Sequence, residues 1–269
     1  MQFFNDTLLI TLGCSWTFGV GVNYEKNMNF KEYERNAWNK EICDEFSFRG
    51  LLSKKYKLNN LNLSCGGSSN QKQFRLATEF FSTNIDTIDI NKFFTVNGYY
   101  PFKHIKNNYE KIIVLWGITS TARYEIFNSE KNILQNDFYR SNNKISKFLA
   151  ENTYSHAHQL ETLSINIQFW NDYFMLNNIS IIWFDTFNHH EYEVKLYNFF
   201  KFEKKPRDLL SLITNLEANN YHLSEWIYED KRLIIGKQEN LLNSFSYHPT
   251  KLGHQKICDL LSPEIKKLI

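Results

Sequence analysis

The sequence is poor in the residues that staple or punctuate a chain. Four cysteines stand in 269 residues, and Cys14, Cys43, Cys65 and Cys258 form no CxxC pair and no regular spacing. Neither a zinc site nor a disulfide framework is indicated, which points to a reducing compartment. Four prolines and ten glycines leave no Pro/Gly/Ser-rich linker, and no internal repeat or low-complexity block marks a domain boundary. Excess charge is missing too. The 31 Lys and Arg against 29 Asp and Glu leave +2, with the basic residues scattered, so no nucleic-acid partner is implied. Long hydrophobic runs are absent. Residues 1–6 carry no basic stretch, and Leu8–Leu12 is far too short for a signal core or a membrane span. A cytosolic location with no membrane partner is expected; a virion component would show the same features.

What is present fits an ordinary globular protein, with 42% apolar and 22% charged residues. The 23 Phe and 15 Tyr, beside abundant Asn and Lys, fit a coding sequence biased toward A and T. The length suits one domain, residues 1–269, with insertions near 82–108, 126–155 and 186–240, and a further weakly periodic stretch at 20–42. Leu8–Leu12, Leu61–Leu63, Lys111–Trp116 and Ser180–Phe184 read as buried strands. Helical spacing covers Asp44–Tyr56, the stretch up to Phe81, His158–Leu176 and Lys251–Leu261. Continuous apolar strands alternating with amphipathic helices predict an α/β protein, a parallel sheet covered on both faces in three α/β/α layers. In such sheets the functional loops lie at the carboxyl ends of the strands, and the unusual glycine-bearing segments all fall there.

The first of these is Gly13-Cys14-Ser15-Trp16-Thr17-Phe18-Gly19, directly after the first strand. A serine at a tight strand-to-helix turn exposes its hydroxyl beside backbone N–H groups, which suits nucleophilic attack on an acyl carbon. A serine helix cap with flanking turn glycines fits the same residues. Near the other end stands His248-Pro249-Thr250-Lys251-Leu252-Gly253-His254, leading into the last helix. A residue before proline is held extended, so a rigid loop could aim this imidazole; an ordinary surface histidine fits as well.

Together, in this order, the two segments resemble those of the SGNH (GDSL-like) hydrolases. Gly13, Ser15 and Gly19 match that family's first block, with Cys14 where Asp is usual, and His248-Pro249 matches its last. The glycines after the second strand, Gly66-Gly67-Ser68-Ser69-Asn70, match its second block. The resemblance implies a flavodoxin-like sheet and a serine esterase that needs no cofactor. Its nucleophile would be Ser15 and its base His248, with an oxyanion hole from the backbone N–H groups of Ser15 and Gly67. The substrate implied is a small-molecule or carbohydrate ester.

Two blocks depart from the family. Where Gly-x-Asn supplies an amide donor, the chain has Gly117-Ile118-Thr119, leaving Thr119 with a shorter O–H donor. Where Asp stands three residues before the histidine, the chain has Phe245, and no carboxylate lies between Glu239 and Asp259. A backbone carbonyl in the 243–246 loop is the expected partner of the base, with Asp185, at the end of a strand, the best distant acid. Arg123 and Trp16 are candidate substrate contacts. His189-His190-Glu191 and His156-x-His158 have spacings that could bind metal, but in polar segments without periodicity they read as solvated surface, so no metal is expected. A binding protein on the same scaffold and an O-acyltransferase are the rival readings.

Overall fold

In the computed structural model, residues 6–81, 102–128, 133–138, 144, 148, 155–186, 208–214 and 231–269 are described. Four strands, β1 (Thr7–Leu12), β2 (Asn59–Asn62), β3 (Lys111–Ile118) and β6 (Ser180–Asp185), form a parallel sheet in the order β2-β1-β3-β6. β4 (Arg123–Asn128) and β5 (Ile133–Phe138) pair as a separate antiparallel hairpin.

The apolar strands face both ways, and their side chains divide by parity. Leu9, Ile113, Leu115, Ile182 and Phe184 enter one cluster, while Leu8, Ile10, Leu12, Ile112, Val114, Trp116, Ile181 and Trp183 enter the other. This is the two-residue period of a strand buried on both faces. The first face is covered by α4 (Phe48–Tyr56), α8 (Leu209–Thr214), α9 (Lys231–Gln238) and α10 (Lys251–Leu268). The second is covered by α5 (Asn70–Phe81), α6 (Phe102–Ile105) and α7 (His156–Leu176). Three layers follow, as the strand and helix patterns predict. Each buried Leu, Ile or Phe removed from water contributes about 1.5–3 kcal/mol, so the sheet is fixed by its two faces together. The order reverses between β1 and β3, which opens a crevice at their carboxyl ends.

Three boundaries differ from the sequence reading. The helix expected over Asp44–Tyr56 is two helices, α3 (Lys40–Phe46) and α4, because Ser47 is extended (ψ 160°) and its hydroxyl caps Gly50 N–H at 3.4 Å. Ser47 thus starts a new helix where apolar spacing alone continues one. The last helix runs on to Leu268 with Pro263 inside it, its apolar face (Ile257, Leu261, Ile265) outweighing the break that proline usually causes. The stretch near 126–155, read as an insertion, opens within the β4–β5 hairpin, which begins earlier, at Arg123. It is clamped to α5 by Arg75, whose guanidinium donates to Glu125 at 2.8 and 3.1 Å and to Glu79 at 2.8 Å. Most of the expected insertions at 82–108 and 186–240, and His189-His190-Glu191, lie outside the described residues.

The α3–α4 corner has no room for a side chain at Gly50, where an added Cβ would lie 1.9 Å from the Asp44 carbonyl oxygen. Gly50→Ala is expected to lower stability by about 1–3 kcal/mol, measured as a lower urea midpoint at unchanged m-value.

Candidate active site

The crevice brings three strand ends together. After β1, Gly13 takes φ +148°, and a Cβ there would strike Thr17 Oγ1 at 2.3 Å, so only glycine allows the chain to turn at once into α1 (Ser15–Phe18). Ser15 is the first residue of that helix, its peptide N–H at the helix start where backbone donors point outward. The turn after β2 is tied to this one, because Leu63 N–H donates to Thr11 O at 2.8 Å and Cys65 N–H to Gly13 O at 3.0 Å. Gly67 lies in that turn at φ +64°. Gly13 N–H donates to Gln73 Oε1 at 2.8 Å, and Gln73 Nε2 donates to Ser68 Oγ at 2.7 Å, so α5 braces both turns.

β3 adds Thr119. Its peptide is gripped at both ends by the Asn70 amide: Thr119 N–H donates to Asn70 Oδ1 at 2.9 Å, and Asn70 Nδ2 donates to Thr119 O at 2.9 Å. The Thr119 hydroxyl is buried and has no hydrogen-bond partner among the described residues. A buried orphan hydroxyl costs about 1–3 kcal/mol, a cost that a substrate oxygen accepting its proton would remove.

His248 comes from the loop between α9 and α10. Its Nε2 lies 2.7 Å from Ser15 Oγ, across 233 residues of sequence. Asn243 shapes the loop: its Oδ1 accepts from Phe245 N–H (3.1 Å), Ser246 N–H (2.7 Å) and Ser246 Oγ (3.1 Å). Its Nδ2 donates to His248 O at 3.0 Å. The loop also holds Tyr247 in the left-handed region at φ +56°, a strain of about 1–3 kcal/mol of the kind that collects at functional sites. Gly21 closes on it from the other side, where a Cβ would lie 2.4 Å from Pro249 O and 2.9 Å from His248 Cβ.

The other ring nitrogen, Nδ1, is 2.7 Å from Ser246 Oγ. The sequence pointed to a backbone carbonyl in this loop. Ser246 stands there with both its hydroxyl and its main chain, and the main-chain hydrogen bond favours the charged ring. Asp185 is buried at the end of β6, near enough to Asp208 to raise its pKa. Asp208 in turn is paired with Arg232 at 2.9 Å. Phe245, standing where the family has Asp, packs edge-on to Tyr24 and Phe30 at centroid distances of 5.6 and 5.7 Å, and against Tyr33 at 5.6 Å.

Burial is the main force on the His248 ring. Together with the nearby Arg123 cation it pushes the imidazole pKa down to about 3, against the opposing Ser246 main chain. Arg123 reaches this point from β4, donating from Nη1 to Ser68 O at 3.3 Å and lying beside Cys14. It also lines a small, partly open cleft with Asn70, Gln71, Phe74, Gln159 and Asn166. Trp16, by contrast, is packed into the core with Leu9 and Phe48. The apolar side of the one-turn helix faces inward, so Trp16 is withdrawn as a substrate contact. An indole does stand at the site: Trp38 is half exposed and its ring abuts Gly66, where an added Cβ would meet it at 1.8 Å.

Sequence reasoning missed Tyr33, Trp38, Asn70 and Asn243. The first two fall in the weakly periodic 20–42 stretch, and only the capping box of Asn29 with Glu32 marked α2 (Phe30–Asn36) there. Among the described residues no cluster of three or more metal-binding side chains is found and no helix is long and apolar enough to cross a membrane. His156 instead lies 3.4 Å from Thr121 Oγ1, and His158 is exposed beside Glu161.

Neither the protein-family models nor the curated proteins contain a match to this chain. Among solved structures, a Desulfitobacterium hafniense DCB-2 protein assigned to the G-D-S-L lipolytic family aligns at 14% identity and TM-score 0.44, over 96% of this chain and 99% of that one. An acetyl xylan esterase from the rumen bacterium Butyrivibrio proteoclasticus aligns at 12% identity and TM-score 0.48 over 98% of this chain, which spans 64% of that one. A family two carbohydrate esterase from Cellvibrio japonicus gives 11% and 0.44 over 97%, with 60% of that chain spanned.

A histidine base works only when neutral. With its pKa held at about 3, rather than near 6.5 as in solution, His248 is neutral throughout the mildly acid range. The ring proton shifts of His248 are therefore expected to stay level from pH 7 down to pH 5, measured by NMR titration.

Proposed function

We propose that this chain is a serine hydrolase of the SGNH type that cleaves an O-acyl ester on a hydroxyl-rich, carbohydrate-like alcohol. The reading is carried by one observation, the 2.7 Å contact of Ser15 Oγ with His248 Nε2 at the point where the strand order reverses. Ser15 attacks the acyl carbon as its proton passes to Nε2. The oxyanion takes hydrogen bonds from the peptide N–H groups of Ser15 and Gly67 and from the Thr119 hydroxyl. Each well-placed donor contributes about 3–4 kcal/mol in the transition state. His248 then returns the proton to the departing alcohol, leaving an acyl-Ser15 ester. Water, deprotonated by the same nitrogen, releases the acid and restores the hydroxyl. No metal or organic cofactor enters this scheme.

The polar substrate is supported by the cleft that Arg123 shares with Asn70, Gln71, Gln159 and Asn166, where amides and a cation offer several hydrogen bonds beside the ring of Phe74. The exposed face of Trp38 adds an aromatic surface next to the Gly66–Gly67 turn. That no carboxylate acts on His248 among the described residues favours one rival, a scaffold that binds such ligands without turning them over.

Labelling by a fluorophosphonate separates the two, since only an activated serine reacts. The wild-type chain is expected to be labelled at Ser15, and labelling and ester hydrolysis should both vanish in Ser15→Ala and His248→Ala with the melting temperature held. An unlabelled wild-type protein would leave the binding role, and hydrolysis by Ser15→Ala would move the chemistry elsewhere.

A further inference from the structure

Resting on the Ser15–His248 reading, we propose that Ser246 and Tyr33 form an uncharged substitute for the missing acid, holding His248 in the tautomer that accepts the serine proton. Neutral imidazole has one donor and one acceptor nitrogen. If Nε2 accepts from Ser15 Oγ–H, Nδ1 carries the hydrogen and must meet an acceptor. Ser246 supplies it, with Oγ 2.7 Å away and the Ser246 main chain close by.

The remaining contacts agree with that direction. A hydroxyl accepts twice and donates once. Ser246 accepts from His248 Nδ1–H and from Tyr33 O–H at 2.7 Å, and donates to Asn243 Oδ1 at 3.1 Å. The Tyr33 oxygen in turn accepts from Asn243 Nδ2 at 3.3 Å. Every donor and acceptor in the ring of three side chains is satisfied with one assignment of protons. Reversing His248 would place its acceptor nitrogen at Ser246 and a donor at Ser15, leaving the serine proton with no base.

Tyr33 is buried, and burial raises its pKa above the usual phenol value, so it remains a donor. It belongs to α2, and the ring contacts of Phe245 with Tyr24, Phe30 and Tyr33 fix that helix to the histidine loop. Among the described residues, His248 contacts Ser15 and Ser246 and lies near the Arg123 cation and the His254 ring, and no carboxylate acts on it. Ser246 and Tyr33 are positioning residues. They orient the base and do not touch substrate.

A neutral acceptor orients the ring but stabilises the imidazolium formed during attack much less than a carboxylate does. Two consequences can be measured in the full chain. Ser246→Ala should lower kcat about five- to tenfold, the range for one neutral hydrogen bond, with KM unchanged. Ser246→Asp should move the acid limb of kcat/KM upward by at least one pH unit, because a carboxylate at Nδ1 favours the protonated ring. A merely structural serine would not move that limb. If Ser246→Asp does not fold, Tyr33→Phe decides, with a kcat loss of about two- to fivefold expected at unchanged KM and melting temperature. Unchanged kcat in Ser246→Ala, an unmoved acid limb in folded Ser246→Asp, or unchanged kcat in Tyr33→Phe where that variant decides, would overturn the proposal. Loss of activity in Ser15→Ala and His248→Ala would still support the hydrolase reading in that event. Activity retained by Ser15→Ala would remove the hydrolase reading itself.

Discussion

The site depends on one constraint: the seven residues from Asn243 to Pro249 are folded so tightly that His248 can occupy only one place. Asn243 N–H and Nδ2 both donate to His248 O, at 2.9 and 3.0 Å, while its Oδ1 gathers the donors of the next residues. Leu242 and Pro249 bridge across the base of the loop, and Thr250 caps α10 by accepting from Gly253 N–H at 3.3 Å. Outside this frame Gly21 presses on Pro249 and the aromatic rings of residues 24–33 press on Phe245. Holding a base within hydrogen-bond reach of its nucleophile is worth more than any single polar contact, because it replaces a search through solution with a fixed geometry.

The electrostatics follow from the same enclosure. A buried imidazole resists protonation, and the adjacent Arg123 cation strengthens that resistance. In a Ser-His-Asp triad the carboxylate offsets this penalty when the proton arrives; removing it in a known triad costs about 10⁴-fold in kcat. Here, among the described residues, the opposing influence comes from Ser246 alone, through its hydroxyl and its main chain. That placement also explains why Phe245 is tolerated where the family has Asp: the ring anchors the loop, and the polar contact moves one residue along to Ser246.

Much of the fold was legible because its strands are continuous apolar runs. Lys111–Trp116 and Ser180–Phe184 could hardly be anything but buried strands, and both lie inside the observed β3 and β6. Ser15 and His248 were legible because glycine and proline mark rigid turns beside them. What was not legible depended on side chains meeting across the chain. Tyr33 and Ser246 are 213 residues apart, and nothing in either local sequence announces the pairing. The Asn70 grip on Thr119 is equally silent, since an Asn after a serine-rich turn reads as a helix start. The split at Ser47 was visible as a capping residue but was overridden by apolar spacing that continues across it.

The central claim is that a neutral His248, hydrogen on Nδ1 and lone pair on Nε2, faces Ser15 without a carboxylate behind it. Nitrogen NMR of the ¹⁵N-histidine-labelled protein, with His248→Gln to assign the ring, reads this directly. The account predicts a protonated Nδ1 and a bare Nε2 that persist from pH 7 to pH 5. A ring that carries its hydrogen on Nε2, or that titrates near pH 6.5 as a solvated histidine does, would contradict it.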